Sequence, residues 1–310
     1  TIRGGISYTD RNVFGKGLSW NTQLKASLKG GRIESSLSDS SFLGLPVTGS
    51  IQSFAQYRQF PTFTDRRLGS VFALSKHWNR LKGSVGYSFE NSRTTGVEEG
   101  AVPFEALKIV NLGTVFTRWV MDDRNHILSP DQGSKHEVGL EFSDRAFGGE
   151  ISFNKFTGST SWLFPLDDSA YWVLAMRAEG GVLVRSGDTP FIPIQFRFFS
   201  GGADSVRSFR EDELSPRRDS DFVGGEFYST GSVELRMPLV KHLNAALFAD
   251  AGNVIERRQN IRLRNYRYAL GAGLRYNLPI GPIRLDWGWN PTRRSDEDLW
   301  ALHLSIGFPF

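Results

Sequence analysis

The chain has no cysteine, so neither disulfides nor thiolate metal sites are available to it. That absence fits an oxidising compartment. Nor is there a run of about 18 to 20 apolar residues, the length that crosses a bilayer as a helix, which excludes a helical membrane protein. Charge of one sign is missing too: 37 Lys and Arg stand against 33 Asp and Glu, a net charge of +4 spread along the chain. This is a mixed surface without the clustered basic face of a nucleic-acid binder, and no nucleic-acid partner is expected. Catalytic signatures are equally scarce, with no Gly-x-Ser-x-Gly elbow, no His-Glu-x-x-His and no glycine-rich phosphate loop. His77, His126, His136, His242 and His303 are scattered. Asp122 and Asp123 are adjacent and would alternate across a strand, which suits turn chemistry with Arg124 rather than a shared proton. No enzyme, cofactor or metal is expected. The chain opens "TIRGG", with neither an initiator Met nor a signal peptide, and reads as a mature or trimmed product.

What the chain has in quantity is aromatic residues and glycine: 24 Phe, 8 Trp and 33 Gly among 310 residues, a β-rich composition with many tight turns. Period-two alternation dominates. At the C-terminus Trp300, Leu302, Leu304, Ile306, Phe308 and Phe310 fall on one face, with Ala301, His303, Ser305 and Gly307 on the other. Around 267–278, Tyr268, Leu270, Ala272, Leu274, Tyr276 and Leu278 oppose Arg267, Gly271, Gly273, Arg275 and Asn277. In "IRLDWGW", Ile283, Leu285, Trp287 and Trp289 oppose Arg284, Asp286 and Gly288.

A soluble β-sandwich also alternates, but its loops are short at both ends. Here Trp and Tyr sit near strand ends like an aromatic girdle. Short turns (14–17, 239–242, 278–282) alternate with longer loops (92–107, 187–227, 256–265), as in a transmembrane barrel. Turn signals mark fifteen strand segments, beginning near Ile2, Leu18, Arg32, Gly49, Leu68, Lys82, Leu107, Gly133, Ile151, Ala170, Tyr228, Leu243, Tyr266, Ile283 and Leu299. Single-chain bacterial barrels have even strand numbers, so the odd count implies either a missing upstream strand or two merged segments.

Residues 201–227, "GGADSVRSFREDELSPRRDSDFVGGEF", break this regularity with a long charged loop. The loop contains Val206, Arg207, Ser208 and Phe209. "LFADAG" (247–252) carries Asp250, and "SVELRMP" (232–238) carries Glu234. By alternation Glu234, Arg236, Phe248 and Asp250 point inward. "DDRNHILSPDQGS" (122–134) carries Asp123, Arg124, Pro130 and Gly133, and the chain ends on an aromatic signal from Gly307 to Phe310.

These four features, in this order, resemble the barrel of the BamA/TamA superfamily of outer-membrane insertases, which includes the polypeptide exporters of two-partner secretion. The family's Val-Arg-Gly-Phe tetrad reads Val206, Arg207, Ser208, Phe209 here. Ser stands where the family has Gly, and it suits turns that do not need positive φ. The resemblance implies an all-β, sixteen-stranded antiparallel transmembrane barrel, about fifteen of whose strands are seen. It implies one barrel domain over 1–310, a loop (about 187–227) folded into the lumen, and POTRA domains and an opening strand upstream. Arg207 would pair with Asp250 and Glu234 as a lumenal latch, the 122–134 segment would be a periplasmic turn, and residues 299–310 would border a seam that opens sideways. The implied activity is insertion of β-barrel precursors or movement of polypeptides, without a cofactor. The implied location is the outer membrane of a Gram-negative bacterium, with an organelle outer membrane as the alternative. The implied partners are the lipid bilayer, unfolded outer-membrane or secreted polypeptides, and periplasmic or lipoprotein accessory subunits. Two other readings remain open. A passive porin shares the alternation without the ordered motifs, and a barrel anchoring a surface enzyme needs a catalytic domain upstream.

Overall fold

The computed structural model describes residues 3–96, 109–127, 129–167, 172–218, 221–257, 265–278 and 281–307. Its strands are β1 (Arg3–Val13), β2 (Leu18–Ser27), β3 (Gly30–Asp39), β4 (Thr48–Gln59), β5 (Thr64–Trp78), β6 (Leu81–Thr95), β7 (Ile109–Asp122), β8 (Gly133–Ser143), β9 (Phe153–Pro165) and β10 (Val173–Arg185). Two short strands follow in the long loop, β11 (Arg217–Arg218) and β12 (Asp221–Phe222). Then come β13 (Phe227–Val240), β14 (Leu243–Ile255), β15 (Arg267–Tyr276), β16 (Ile283–Trp289) and β17 (Trp300–Ile306). All but β11 and β12 form a single 15-stranded sheet in which sequence neighbours pair, antiparallel at every ladder, so the fifteen expected segments are the fifteen strands of the sheet. The sheet has two edges, β1 and β17, and no ladder joins them among the described residues.

Alternation determines which side faces where. On β14, Ala246, Phe248 and Asp250 are buried while Leu247 is 53% exposed. On β16, Arg284 and Asp286 are buried between exposed Ile283, Leu285, Trp287 and Trp289. A soluble sandwich buries its apolar face; this sheet turns its apolar face outward and its charges inward. Such inversion suits lipid outside and a polar lumen within. Replacing Leu274 or Leu285 by Arg should therefore cost about 2–4 kcal/mol near the bilayer midplane, whereas Ser88→Arg on the lumenal face of β6 should cost little. Urea unfolding in lipid vesicles measures both, and equal costs on the two faces would overturn the membrane assignment.

Some strand ends differ from expectation. β5 begins at Thr64, not near Leu68, because its first charged residues belong to the lumenal wall: Asp65 is buried and holds Arg67, which reaches the backbone carbonyl of Gln195 in the long loop. Polar residues that looked like a turn are wall lining. β6 likewise continues to Thr95, past the expected loop start at residue 92. β17 ends at Ile306: Gly307 takes φ +90°, and although its N–H donates in register to Pro282 O at 2.8 Å, Pro282 has no N–H to return the bond. The expected segment starts at Ile2, Leu107 and Ala170, and the terminal Phe308 and Phe310, lie outside the described residues.

β16 and β17 span 7 residues each, against 15 for β5 and β6. The apolar wall is thus lowest beside one edge of the sheet.

Candidate functional site: a buried arginine inside the barrel

The connection between β10 and β13, residues 186–226, folds into the lumen, and the hydrogen bonds that hold its tip to the wall are buried there. The tip meets every strand from β13 to β17, and the ladder register explains how. Asp250 on β14 lies opposite Ser232 on β13, and Phe248 opposite Glu234. Asp286 on β16 lies opposite Gly273 on β15 and His303 on β17. One lumenal face therefore gathers acids, an aromatic ring and hydroxyls from adjacent strands.

Arg207 fills that face and is 1% exposed. Its Nε donates to Asp250 Oδ2 at 2.9 Å and its Nη2 to Asp250 Oδ1 at 2.8 Å, a two-point fork, while its own backbone N–H reaches Oδ2 at 3.0 Å. Nη1 donates to Glu234 Oε2 at 2.6 Å, and Nη2 also reaches Ser232 Oγ at 3.1 Å. The guanidinium carbon lies 3.4 Å from the centre of the Phe248 ring, adding a cation–π contact. Burial alone would favour the neutral group, but the hydrogen bonds and charge of Asp250 outweigh it, so Arg207 holds its proton more tightly than in water. Paired, forked hydrogen bonds of this kind are the strong ones.

The rest of the tetrad closes around this pair. Val206 and Phe209 pack with Leu214 and Ala269. Ser208 takes a negative φ, as it is not among the residues with positive φ, so the turn has no need of the family's Gly. Its Oγ instead donates to Tyr268 O at 3.0 Å. The loop backbone comes so near the wall that a Cβ on Gly288 would stand 2.3 Å from Arg207 O; only Gly fits there. His303 Nε2 meets the same carbonyl at 3.1 Å, which gives this lining residue a definite contact.

Sequence reasoning singled out Arg207, Glu234 and Asp250, and the structure brings all three together. It did not single out Arg236, Arg275, Arg284 and Asp286 as members of the site. Glu234 also receives Arg236 Nε at 3.0 Å and Arg275 Nη2 at 2.9 Å, and Arg275 Nη1 reaches Asp286 Oδ1 at 2.6 Å. Arg284 binds Asp204 of the loop at 2.6 Å. Their inward parity was readable; which charge meets which depends on register across strands and was not.

The loop also grips the opposite wall. Arg58 on β4 donates to both oxygens of Asp212 at 3.0 Å, Lys29 donates to Glu211 O at 2.8 Å, and Thr62 Oγ1 to Phe222 O at 2.7 Å. Burial pushes the Asp212 carboxyl up, against the opposing pull of Arg58. Phe60 and Phe63 stack at 4.4 Å beneath Phe199 of the loop. Below the loop remains a chamber of about 670 Å³ lined by charges of both signs, among them Arg32, Glu90, Glu141 and Lys155. A loop anchored on both walls obstructs a lumen that would otherwise be an aqueous path.

At the other end of the barrel, the 122–134 segment forms a braced turn. Asp122 grips Arg124 through Nε (2.9 Å) and Nη2 (2.8 Å), and Asp123 Oδ1 accepts from the backbone N–H and hydroxyl of Ser134 at 2.6 and 2.9 Å. Those two bonds hold the Asp123 carboxyl below its usual range. Pro130 is buried, and Gly133 has φ +103° with no room for a Cβ, which would lie 2.5 Å from Asp123 O. Of the seam residues, Trp300, Leu302, Leu304 and Ile306 face outward on the edge strand β17.

Comparison with known proteins agrees with this architecture. The chain is 31% identical over 171 residues to sorting and assembly machinery component 50 homolog A of Xenopus laevis, covering 54% of this chain and 35% of that protein. It is 24% identical over 226 residues to the outer membrane protein assembly factor BamA of Neisseria meningitidis serogroup B, covering 62% of this chain and 28% of that protein. The chain thus corresponds to about a third or less of the length of these relatives. The crystal structure of BamA from Haemophilus ducreyi lacking POTRA domains 1–3 superposes with a TM-score of 0.83 at 15% identity, over 97% of this chain and 68% of that one. The Omp85 superfamily domain matches residues 12–310, and the chain belongs to the Omp85 superfamily.

Proposed function

We propose that this protein inserts β-barrel precursors into an outer membrane, or passes polypeptides across it, through a barrel that opens sideways between its first and last strands, at a seam beside β17. The observation that carries this reading is a lumen obstructed by a loop whose tip is held to the wall through the buried Arg207 and its bonds to Asp250 and Glu234. Unpaired edge N–H and C=O groups template an incoming strand by β-augmentation. The low apolar wall at β16 and β17 favours a locally thinned bilayer, at a cost of fractions of a kcal/mol per Å of mismatch. No bond is hydrolysed and no cofactor is consumed. The names of the relatives, an assembly factor and a sorting and assembly component, support the same reading. The partners in this reading are the lipid bilayer, unfolded outer-membrane or secreted polypeptides, and periplasmic or lipoprotein accessory subunits. The setting is the outer membrane of a Gram-negative bacterium.

The test is direct. The full-length protein in lipid vesicles should accelerate membrane insertion of an unfolded β-barrel precursor and conduct ions poorly, and deleting residues 203–219 should raise single-channel conductance. A steady open conductance in the intact protein, unchanged by the deletion and with no acceleration of insertion, would make it a passive porin.

A further inference from the structure

The latch does not by itself use the braced turn between β7 and β8. Yet this turn reaches inward beneath the lumen, past β9 and β10, as far as β13. The buried Pro130 presents its carbonyl to Arg236 Nη1 at 3.2 Å. Nε of the same guanidinium donates to Glu234 Oε1 at 3.0 Å, and the other oxygen of that carboxylate accepts from Arg207 Nη1 at 2.6 Å. Two motifs far apart in the chain are thereby joined by one arginine and one glutamate.

The turn behaves as one piece. Besides the Asp122–Arg124 and Asp123–Ser134 bonds, Asn125 N–H donates to Gln132 O at 3.1 Å, and Asn125 Oδ1 accepts from the N–H groups of Asp131 and Gln132 at 3.3 Å each. A braced turn that shifts takes its Pro130 carbonyl with it. A planar guanidinium presents its donors in a fixed fork, so moving the partner of Nη1 reorients Nε. Glu234 Oε1 follows Nε, and Oε2, which Arg275 Nη2 also holds at 2.9 Å, turns out of the line of Arg207 while staying on Arg275. Coupling through such a chain requires an element with two arrangements that both ends bias; the loop tip, docked or released, is that element.

We propose that Arg236 is a positioning residue that carries the placement of the β7–β8 turn to the loop tip, so that displacing the turn at one end of the barrel promotes release of Arg207 inside it. This inference rests on the loop being latched through Arg207.

Amide hydrogen exchange over residues 203–209, in the full-length protein in lipid vesicles, tests it, since the Arg207 N–H is bound to Asp250 in the docked loop. Gly133→Ala, which forces the turn to shift, should speed that exchange by about 2- to 160-fold, the range expected for groups in one ion-pair network. Asp123→Asn, which weakens the Ser134 cap, should act in the same direction and serves where Gly133→Ala does not fold. In an Arg236→Ala background the exchange should already be fast, and neither turn variant should add to it. Arg236→Lys supplies Glu234 with a charge but not a fork, so it should restore protection of the loop while leaving it insensitive to the turn. Turn variants that leave exchange unchanged, or that act equally with and without Arg236, would overturn the coupling. Arg207→Ala, measured alongside, separates two failures: if it frees the loop while the turn variants do not, the latch stands and the coupling falls. If Arg207→Ala leaves the loop as protected as before, the latch itself falls.

Discussion

Replacing Arg207 with Ala should undock the loop at a cost of about 3–5 kcal/mol, the usual penalty for leaving a buried charge without its partner, and should reduce assembly or transport activity while the barrel persists. The barrel survives because its strand ladders, not the loop, satisfy its backbone. The contacts predict an asymmetry between the two acids. Asp250 has Arg207 and the Ser232 hydroxyl, at 2.7 Å, as its partners in the latch, whereas Glu234 keeps Arg236 and Arg275 when Arg207 is lost. A double-mutant cycle of Arg207→Ala with Asp250→Ala should therefore give a coupling toward the upper part of the roughly 0.5–3 kcal/mol typical of contacting residues, and the cycle with Glu234→Ala a smaller one. Loop opening measured by amide exchange over 203–209 supplies the free energies. Coupling near zero in both cycles would leave the buried fork without an energetic role and return the passive-channel reading to first place.

How far the sequence alone leads can be judged residue by residue. Period-two alternation was legible because every strand has the same rule, lipid outside and lumen inside, so Leu247 and Asp250 could be assigned to opposite faces without knowing any neighbour. Strand starts failed where the lumen itself is charged. Asp65 and Arg67 read as a turn, since nothing local says that their partners, Ser92 and the Gln195 carbonyl, lie far along the chain. The meeting of Arg207 with Asp250 and Glu234 was legible only through resemblance. Alternation turns Glu234 and Asp250 inward, but a loop arginine has no period, and Arg207 is distinguished from Arg210 or Arg217 by the tetrad around it. The links through Arg236, Arg275 and Asp286 lay beyond both kinds of reading. They depend on a register set by ladders, and on a turn 106 residues away from Arg236 coming back beneath it.

The largest effect on activity is expected at the seam. If strands are handed over between the sheet edges, a covalent bridge there should stop the process altogether, while leaving the rest of the barrel intact. A Cys in place of Leu302 or Leu304 on β17, paired with a Cys scanned along the strand that faces it in the full-length protein, should form a disulfide under oxidising conditions wherever the Cα atoms come within about 4.4–6.8 Å. Residues 1–310 contain no Cys, so no thiol within them competes. Oxidised, the locked protein should lose nearly all of its activity in accelerating precursor insertion, and reduction should restore it; the reversal shows that the bond, rather than a damaged fold, is responsible. The edge is suited to opening on physical grounds. β17 ends at Ile306, before Gly307 with its φ of +90°, and holds only 7 residues against the 14 of β13, so fewer hydrogen bonds and less apolar surface resist separation than elsewhere in the sheet. A barrel that works equally well locked and unlocked would show that polypeptides do not pass through the seam, and the obstructed lumen, with its loop released from Arg207, would then be the route that remains.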